Sequence, residues 1–402
     1  MTGSPQRLDR ASAILLAKFV ALTFLGFFDL GLPLGTLAPD VLAMGFGPAM
    51  VLTVIGIQSL VTIASRHRAG TFCDRAGARR TMLAGLSAAT VAALLYLAVE
   101  LRPVNAPAAL VALLLAARIL LGLAESLVLV GTLAGALVTL GPGRSWQVLA
   151  LQGAAMHLGL ILGVLAGMRI EDGLGPLAVP AAVVIVPLLA MALAAGIAVP
   201  DRPPSAARIA ILDVLGRISQ PGMILALATV PVAGSVLLLM PSVAAEHWRM
   251  PWPAFGALVL GYLCARAGAW RWRGRSVGAS LLLLSLGAEL CGQILLLTAD
   301  GAALQLIGAF ATGLGYSLVF PILGMAVLQR FPADLHGRAI GGYSAFQDLA
   351  IGIALPGAVL LLAWRDPGHV FGVGVLATAG AWVLALSYTR RDLTIAIGGG
   401  TG

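Results

Sequence analysis

The chain has 402 residues, of which 59% are hydrophobic and only 10% charged, and its mean hydropathy is +0.98. A soluble globular chain carries about 25% charged residues, so this composition excludes a water-soluble domain and points to an all-α polytopic membrane protein. The net charge of +8 comes from arginines in short loops between apolar runs, which argues against a nucleic-acid surface.

A membrane-spanning helix needs about 20 apolar residues. Twelve segments fit: 12–37, 46–66, 81–101, 107–138, 146–168, 176–199, 221–244, 252–267, 277–298, 302–328, 338–363 and 369–389. No small-residue cleavage site follows the first apolar run, so Ala11 onward reads as a span and not as a signal peptide. The eighth segment is short and glycine-rich. Orientation follows Lys and Arg near the span ends. The two tails and the loops after even-numbered spans hold most of them, whereas the opposite loops hold only Arg102, Arg169, Arg249 and Arg365. Both termini are therefore expected in the cytoplasm. Trp146, Trp248, Trp252, Trp270, Trp272 and Trp364 fall at span ends, where an amphipathic ring is stable. Cys73, Cys264 and Cys291 lie far apart without a CxxC, and read as structural thiols.

The longest cytoplasmic connection, 200–220, contains Pro203 and Pro204, and its IAILDVLGRI stretch reads as a short amphipathic surface helix. It divides the chain into a six-helix bundle at 1–199, a linker at 200–220 and a second six-helix bundle at 221–402. The halves repeat. Gly122 and Ser126-Leu127-Val128 of span 4 match Gly313 and Ser317-Leu318-Val319 of span 10 at an offset of 191, which also carries His157 onto Asp348. Arg66 matches Arg266 at an offset of 200. Two pseudo-symmetric bundles of this kind imply substrate binding near the bilayer midplane.

Between spans 2 and 3 the chain reads GTFCDRAGARR. Gly70, Asp74, Arg75, Gly77, Arg79 and Arg80 resemble the signature of the major facilitator superfamily, with Phe72 where Leu is usual. The glycines permit a tight helix-loop-helix. Asp74 can pair with a basic group or with a helix N-terminus. The expected role of the segment is a latch that holds the cytoplasmic ends of the bundles together in one state of the cycle. The counterpart CARAGAWRWRGRS has no Asp, so the latch should be asymmetric. The resemblance further implies that Arg118, in ARILLGLAES, is the span-4 arginine that exporters of the superfamily associate with proton coupling. Gly153, Gly159, Gly163 and Gly167 are similar to the spaced glycines of antiporter span 5, but GVLAG lacks their proline. PLGTLAPD, ASRHRAGTFCD and GYSLVFPILG with FQDLAIG most resemble bacterial arabinose-efflux-type permeases.

Five charged residues and one histidine remain inside the spans: Asp29, Arg118, Glu125, Glu289, Asp348 and His157. An ionised group at the bilayer centre costs at least about 3 kcal/mol, so each reads as a candidate for proton coupling or substrate binding, against the alternative of a structural pair. Arg118 and Glu125, two helical turns apart, share a face. Asp29 is expected to face water in a cavity and to change charge during the cycle. Asp348 and His157 lie near span starts, where gating is as well supported as substrate contact, and Glu289 in span 9 suits a structural pair. Tyr316, Phe320 and Pro321, with Phe27 and Phe28, are expected as apolar cavity walls.

The function expected is secondary active transport of a small organic solute by alternating access, as proton-coupled efflux of the solute (antiport). The alternative is a proton symporter or uniporter that takes up a sugar or an organic acid. A membrane enzyme or receptor is disfavoured, because no HExxH, no histidine ligand spacing and no Walker A sequence occurs. No cofactor and no metal is expected. The expected partners are the solute, protons and the lipid of a bacterial cytoplasmic membrane, with the protein acting as a monomer.

Overall fold

A computed structural model of the chain describes residues 9–101, 106–200, 210–239, 251–269, 278–362 and 368–392. Among these residues the fold is helical, with no strand. The helices are α1 (Arg10–Gly31), α2 (Leu37–Ala43), α3 (Pro48–Ala76), α4 (Ala78–Glu100), α5 (Pro107–Leu140), α6 (Ser145–Leu174) and α7 (Ala178–Ala195). They continue with α8 (Ile211–Leu239), α9 (Pro251–Ala269), α10 (Gly278–Leu297), α11 (Ala302–Tyr316), α12 (Val319–Leu328), α13 (His336–Leu362) and α14 (Gly368–Asp392). Pro48 and Pro107 occupy the first turns of α3 and α5, where the missing N–H costs nothing. Gly77, at φ +88° and ψ 154°, ends α3 and starts α4, so the connection between spans 2 and 3 is a single positive-φ glycine. The signature segment up to Ala76 is therefore helix and not loop.

Ten helices among the described residues are long and apolar enough to cross a membrane, and the chain is a multi-pass membrane protein. Of the other two predicted spans, 252–267 falls on the shorter apolar helix α9 and 338–363 on α13. IAILDVLGRI does not form a separate surface helix: from Ile211 it continues directly into span 7 as one helix, α8. Trp146 is buried and does not stand at a lipid interface. Trp248, Trp270, Trp272 and Trp364, most of the 200–220 linker, and Arg102, Arg249 and Arg365 lie outside the described residues.

The distribution of side chains is the reverse of a soluble protein. Leu60, Val91, Leu94, Ile185, Leu188, Leu284 and Leu376 are exposed, whereas Asp29, Arg66, Arg118, Glu289 and Arg338 are buried. Large apolar side chains exposed in such number mark a surface that meets lipid or another protein.

The chain divides into two compact units. One comprises Arg7–Val214 with Phe331–Ala345, and the other Leu215–Arg330 with Phe346–Gly402. In the first, α4 packs on α5 and α7, α3 packs on α5, and α1 packs on α6. In the second, α10 packs on α11 and α14, and α9 packs on α11. These are the same pairings, span 3 with 4 and 6 and span 2 with 4, repeated as 9 with 10 and 12 and 8 with 10. Two of the spaced glycines of α6 lie against α1, and a third against the residue that follows it: a Cβ on Gly163 would stand 3.0 Å from the Gly31 Cα, and one on Gly159 would stand 3.1 Å from the Phe28 nitrogen. Gly167 meets Leu32 in the same way. Small residues thus bring two backbones together where lipid supplies no hydrophobic drive.

Candidate functional site

The helical rise dictates that Arg118 and Glu125 share one face of α5, and the fold turns that face onto α3. The two side chains do not pair with each other. Arg118 donates from Nε to the Val54 carbonyl at 3.2 Å and from Nη2 to the Ile55 carbonyl at 3.5 Å, while its Nη1 has no hydrogen-bond partner. Glu125 pairs with Arg66 of α3 at 3.1 Å, and Arg66 is fully buried. The second carboxylate oxygen of Glu125 accepts from Gln58 Nε2 at 3.1 Å and from Thr62 Oγ1 at 3.2 Å. Two arginines and one carboxylate thus occupy the α3–α5 contact. Arg66 is an intramembrane partner rather than a loop residue that only sets topology.

Asp29 sits near the end of α1 and is 1% exposed. Neither carboxyl oxygen has a hydrogen-bond partner. Around it stand Leu86 and Ala89 of α4, Ala124, Glu125 and Val128 of α5 and Pro187 of α7, so it occupies a small gap inside the first unit. The expectation that it faces water does not hold in this structure: α1, held flat against α6 through Gly31 and Gly163, presents Asp29 to the neighbouring helices instead. Deeper in the same unit, Thr23 donates to Gln152, and the hydroxyls of Thr23 and Thr132 lie 2.9 Å apart.

His157 is half-buried on α6, with Nδ1 2.7 Å from the carbonyl of Gly153 one turn earlier. Asp348 is half-buried on α13, in the other unit.

In the second unit the repeat places equivalent atoms in equivalent contacts. Ser126 donates to the Thr62 carbonyl at 3.0 Å, and Ser317 to the Tyr262 carbonyl at 2.7 Å. Both pairs keep the offsets of 191 and 200 read from the sequence. Where Glu125 stands in the first unit, Tyr316 stands in the second. Arg266, the counterpart of Arg66, donates to Ser317 Oγ at 3.0 Å and to Tyr262 Oη at 2.8 Å. Tyr316 is not simply an apolar wall, since its hydroxyl accepts from Gln347 Nε2 at 3.0 Å and lies 3.2 Å from Thr229 Oγ1. Glu289 is fully buried on α10, where Gly315 brings α11 against it, and neither carboxyl oxygen has a partner among the described residues. Gln293, one turn on, donates to Ser235 at 3.0 Å and Thr312 at 3.1 Å.

The signature residues form a second constellation, within the first unit. Asp74, in the last turn of α3, caps the N-terminus of α13. It accepts the Gly337 N–H at 2.8 Å and the Arg338 N–H at 3.1 Å, and pairs with Arg338 Nε at 3.5 Å. Free N–H groups and a positive helix end favour a carboxylate at this place. Gly70 allows the approach, since a Cβ there would stand 2.7 Å from the Arg338 Cα. Arg75, Arg79 and Arg80 are exposed along an adjoining groove that Asp334 and His336 also line, and Arg79 reaches the Ala195 carbonyl at 3.4 Å. At α1, a Ser12 hydrogen bond and then Arg144, 3.2 Å away, hold the Asp9 carboxyl below its ordinary range.

Arg66, Gln58, Thr62, Arg338 and Gln347 were not among the residues singled out for a site from the sequence, and Tyr316 was expected only as a cavity wall. The offset that relates Arg66 to Arg266 was the available signal for the first of these. Nothing local in HGRAIGG marks Arg338 as the partner of Asp74.

No protein-family model matches the chain. An uncharacterized MFS-type transporter of Salmonella typhimurium is 32% identical over 370 residues, covering 91% of this chain and 94% of that protein. The fold matches the human organic anion transporter TETRAN at a TM-score of 0.74 and 15% identity, over 94% of this chain and all (100%) of that one. It also matches the fucose:proton symporter of E. coli at a TM-score of 0.69 and 15% identity, over 94% of this chain and 99% of that one. The chain belongs to the major facilitator superfamily. It is a secondary transporter and not an enzyme.

Proposed function

We propose that the protein exports a small organic solute in exchange for protons, by alternating access of two six-helix bundles at 1–199 and 221–402 joined through 200–220. It has twelve spans and both termini in the cytoplasm of a bacterial cell, and works as a monomer in the inner membrane. The observation that carries the reading is Asp29: a carboxyl buried in the spans that no cation neutralises and no donor satisfies. Such a group changes its charge only by taking up or releasing a proton, and its ionised form requires water or a cation that another conformation must bring. Arg118, with one free buried N–H pair, holds positive charge in the same unit, and Glu125 lies beside Asp29 in the same gap. Glu289 repeats the unpartnered carboxyl in the other unit, and His157 and Asp348 serve gating at the span starts.

The signature residues Gly70, Asp74, Arg75, Gly77, Arg79 and Arg80 act as the conformational latch. Asp74 ties the end of span 2 to the start of span 11, joining the two halves of the sequence, and the tie breaks when the cytoplasmic side opens. A second reading, proton-coupled uptake of a sugar or an organic acid, is favoured by the likeness of the fold to a fucose:proton symporter.

The deciding experiment is quenching of a pH-sensitive dye in inside-out vesicles carrying the wild-type chain or Asp29→Asn, against a panel of solutes. Dequenching by a solute in wild type and not in the variant supports export with Asp29 as carrier. An equal response in both removes Asp29 from the coupling. Solute-driven acidification of the vesicle interior favours uptake.

A further inference from the structure

The contact of α4 with α5 and that of α10 with α11 share one register, which brings a carboxyl to the same level in each unit. In the first unit a Cβ on Gly131 would stand 2.8 Å from the Met82 nitrogen, and one on Gly85 would stand 2.9 Å from the Val128 nitrogen. Followed turn by turn along the two antiparallel helices, this ladder next meets Ala89 of α4 and Ala124 of α5. Both line the gap that holds Asp29. In the second unit Gly292 comes against the Thr312 backbone, Gly308 against that of Leu296, and Gly315 against that of Glu289. These pairs keep the offsets of 200 for the first helix and 191 for the second. Glu289 with Gly315 therefore occupies the level of Ala89 with Ala124. Each unit carries a carboxyl at this level, Asp29 from α1 and Glu289 from α10.

We propose that Glu289 is a second proton-binding site, separate from Asp29, so that the carrier loads two protons, one in each unit. The inference rests on the proton-coupled reading above and adds the number of protons. Glu289 is 0% exposed, and neither carboxyl oxygen has a partner among the described residues. An ionised carboxylate is an acceptor only, so without a donor or a cation the group holds its proton. Alanine fills this level in the first unit, so packing does not demand an acid here. Polar groups flank Glu289 on both sides. Gln293, one turn along α10, joins Ser235 of α8 to Thr312 of α11, and its Oε1 has no partner. Tyr316, next to Gly315, joins Thr229 of α8 to Gln347 of α13. Hydroxyls and amides of this kind are what a proton needs to reach an acid inside an apolar bundle. Among the described residues Tyr316 is the titratable group that α11 places within the electrostatic reach of Glu289. Behind it stand Tyr262, its ring 6.5 Å from that of Tyr316, and Arg266 of α9. Helix α12 has no titratable residue. The α14 contacts of Gln293 with Gly374 and of Leu283 with Trp382 put neutral Thr378 at the level of Glu289, with His369 and Tyr388 toward the two ends of that helix.

The test counts protons. The purified full chain in lipid nanodiscs is shifted from alkaline to mildly acidic buffer, and uptake is read with the pH-sensitive dye pyranine. Glu289→Gln is expected to take up one proton fewer than wild type, Asp29→Asn one fewer, and the double variant two fewer, all with unchanged elution in size-exclusion chromatography. Uptake in Glu289→Gln equal to wild type would overturn the proposal. So would a double variant that lacks only one proton, since the two acids would then share it. Uptake equal to wild type in Asp29→Asn, with a proton missing in Glu289→Gln, would remove Asp29 as carrier and with it the count of two, while keeping Glu289 as a proton site. A second measurement uses the wild-type chain alone and so does not depend on how a variant folds. Dicyclohexylcarbodiimide, an apolar reagent that adds to protonated carboxyl groups, is applied over a series of buffers and the labelled residues are read by mass spectrometry. Labelling of Glu289 is expected, and it should fall as the buffer becomes alkaline. No labelling there, or labelling that ignores pH, would overturn a proton that binds and leaves.

Discussion

Arg66 and Glu125 form an ion pair at 3.1 Å across the contact of α3 and α5, with Arg66 wholly buried and Glu125 held further by Gln58 and Thr62. Removing one member of a buried pair leaves the other charge without compensation, at a cost of about 3–5 kcal/mol. Arg66→Ala and Glu125→Ala should each lower the thermal midpoint in detergent by many degrees. The double replacement Arg66→Met with Glu125→Leu should recover much of the loss. A double variant no better than the worse single variant would show that the site needs the charges for folding and not only their mutual neutralisation.

Asp74 is satisfied by two backbone N–H groups and one guanidinium at the start of α13. Asp74→Asn keeps the shape but loses the charge, and charge-assisted hydrogen bonds are about twice as strong as neutral ones. Under the proposed latch, a cysteine introduced at Ser344, which is buried on α13, should become several-fold more reactive toward a membrane-impermeant maleimide added from the cytoplasmic side. Unchanged reactivity in both Asp74→Asn and Asp74→Ala would show that the contact is structural only.

Gly77 joins α3 to α4 at φ +88°, with no side chain nearby that would clash with a Cβ. The ψ of Gly77, 154°, puts it in a backbone region open essentially to glycine alone, so Gly77→Ala should cost about 1–3 kcal/mol. Gly77→Asn should bring no relief, because the left-handed helical region that Asn tolerates has ψ of about +47°. The comparison can be read from thermal midpoints, with Ala and Asn both below wild type.

Gly122 and Gly313 are equivalent in the repeat. A Cβ on Gly122 would stand 2.6 Å from the Gln58 carbonyl oxygen, and one on Gly313 would meet the Leu258 carbonyl. Each glycine sits where a backbone passes, so the neighbour cannot swing away. Gly122→Ala and Gly313→Ala should each destabilise by about 1–3 kcal/mol through overpacking. By contrast, Gly56→Ala, which has open space around it, should be neutral or slightly stabilising by helix propensity.

Asp29 carries two carboxyl oxygens that nothing satisfies. Asp29→Leu replaces them with apolar atoms among Phe27, Leu30, Leu86 and Ala89. It should raise stability by about 1–3 kcal/mol, the cost of a buried unsatisfied group, while abolishing proton-driven transport if the proposed role holds. A drop in stability would mean that the acid has a partner essential to the fold.

Much of this protein could be read from sequence because a bilayer simplifies the problem. Where water is absent, the backbone must satisfy itself, so a run of about 20 apolar residues dictates a helix. The membrane class, the ten described helices long and apolar enough to span, and the repeat relating Ser126 to Ser317 follow from that rule and from simple offsets. Even the dual nature of Asp74, available to a basic group and to a helix end, was visible in its neighbours. The tertiary structure decided which helices face each other and how each is rotated, because an apolar helix presents lipid and protein with similar surfaces and carries little periodic signal. Hence Glu125 turned out to pair with Arg66 rather than to share a cavity with Arg118. Asp29 proved to be enclosed by α4, α5 and α7 instead of wetted. The partner of Asp74 proved to be Arg338, 264 residues away. Distances along the chain are short-range information, whereas the pairing of buried charges is fixed by packing between helices that sequence order leaves undetermined.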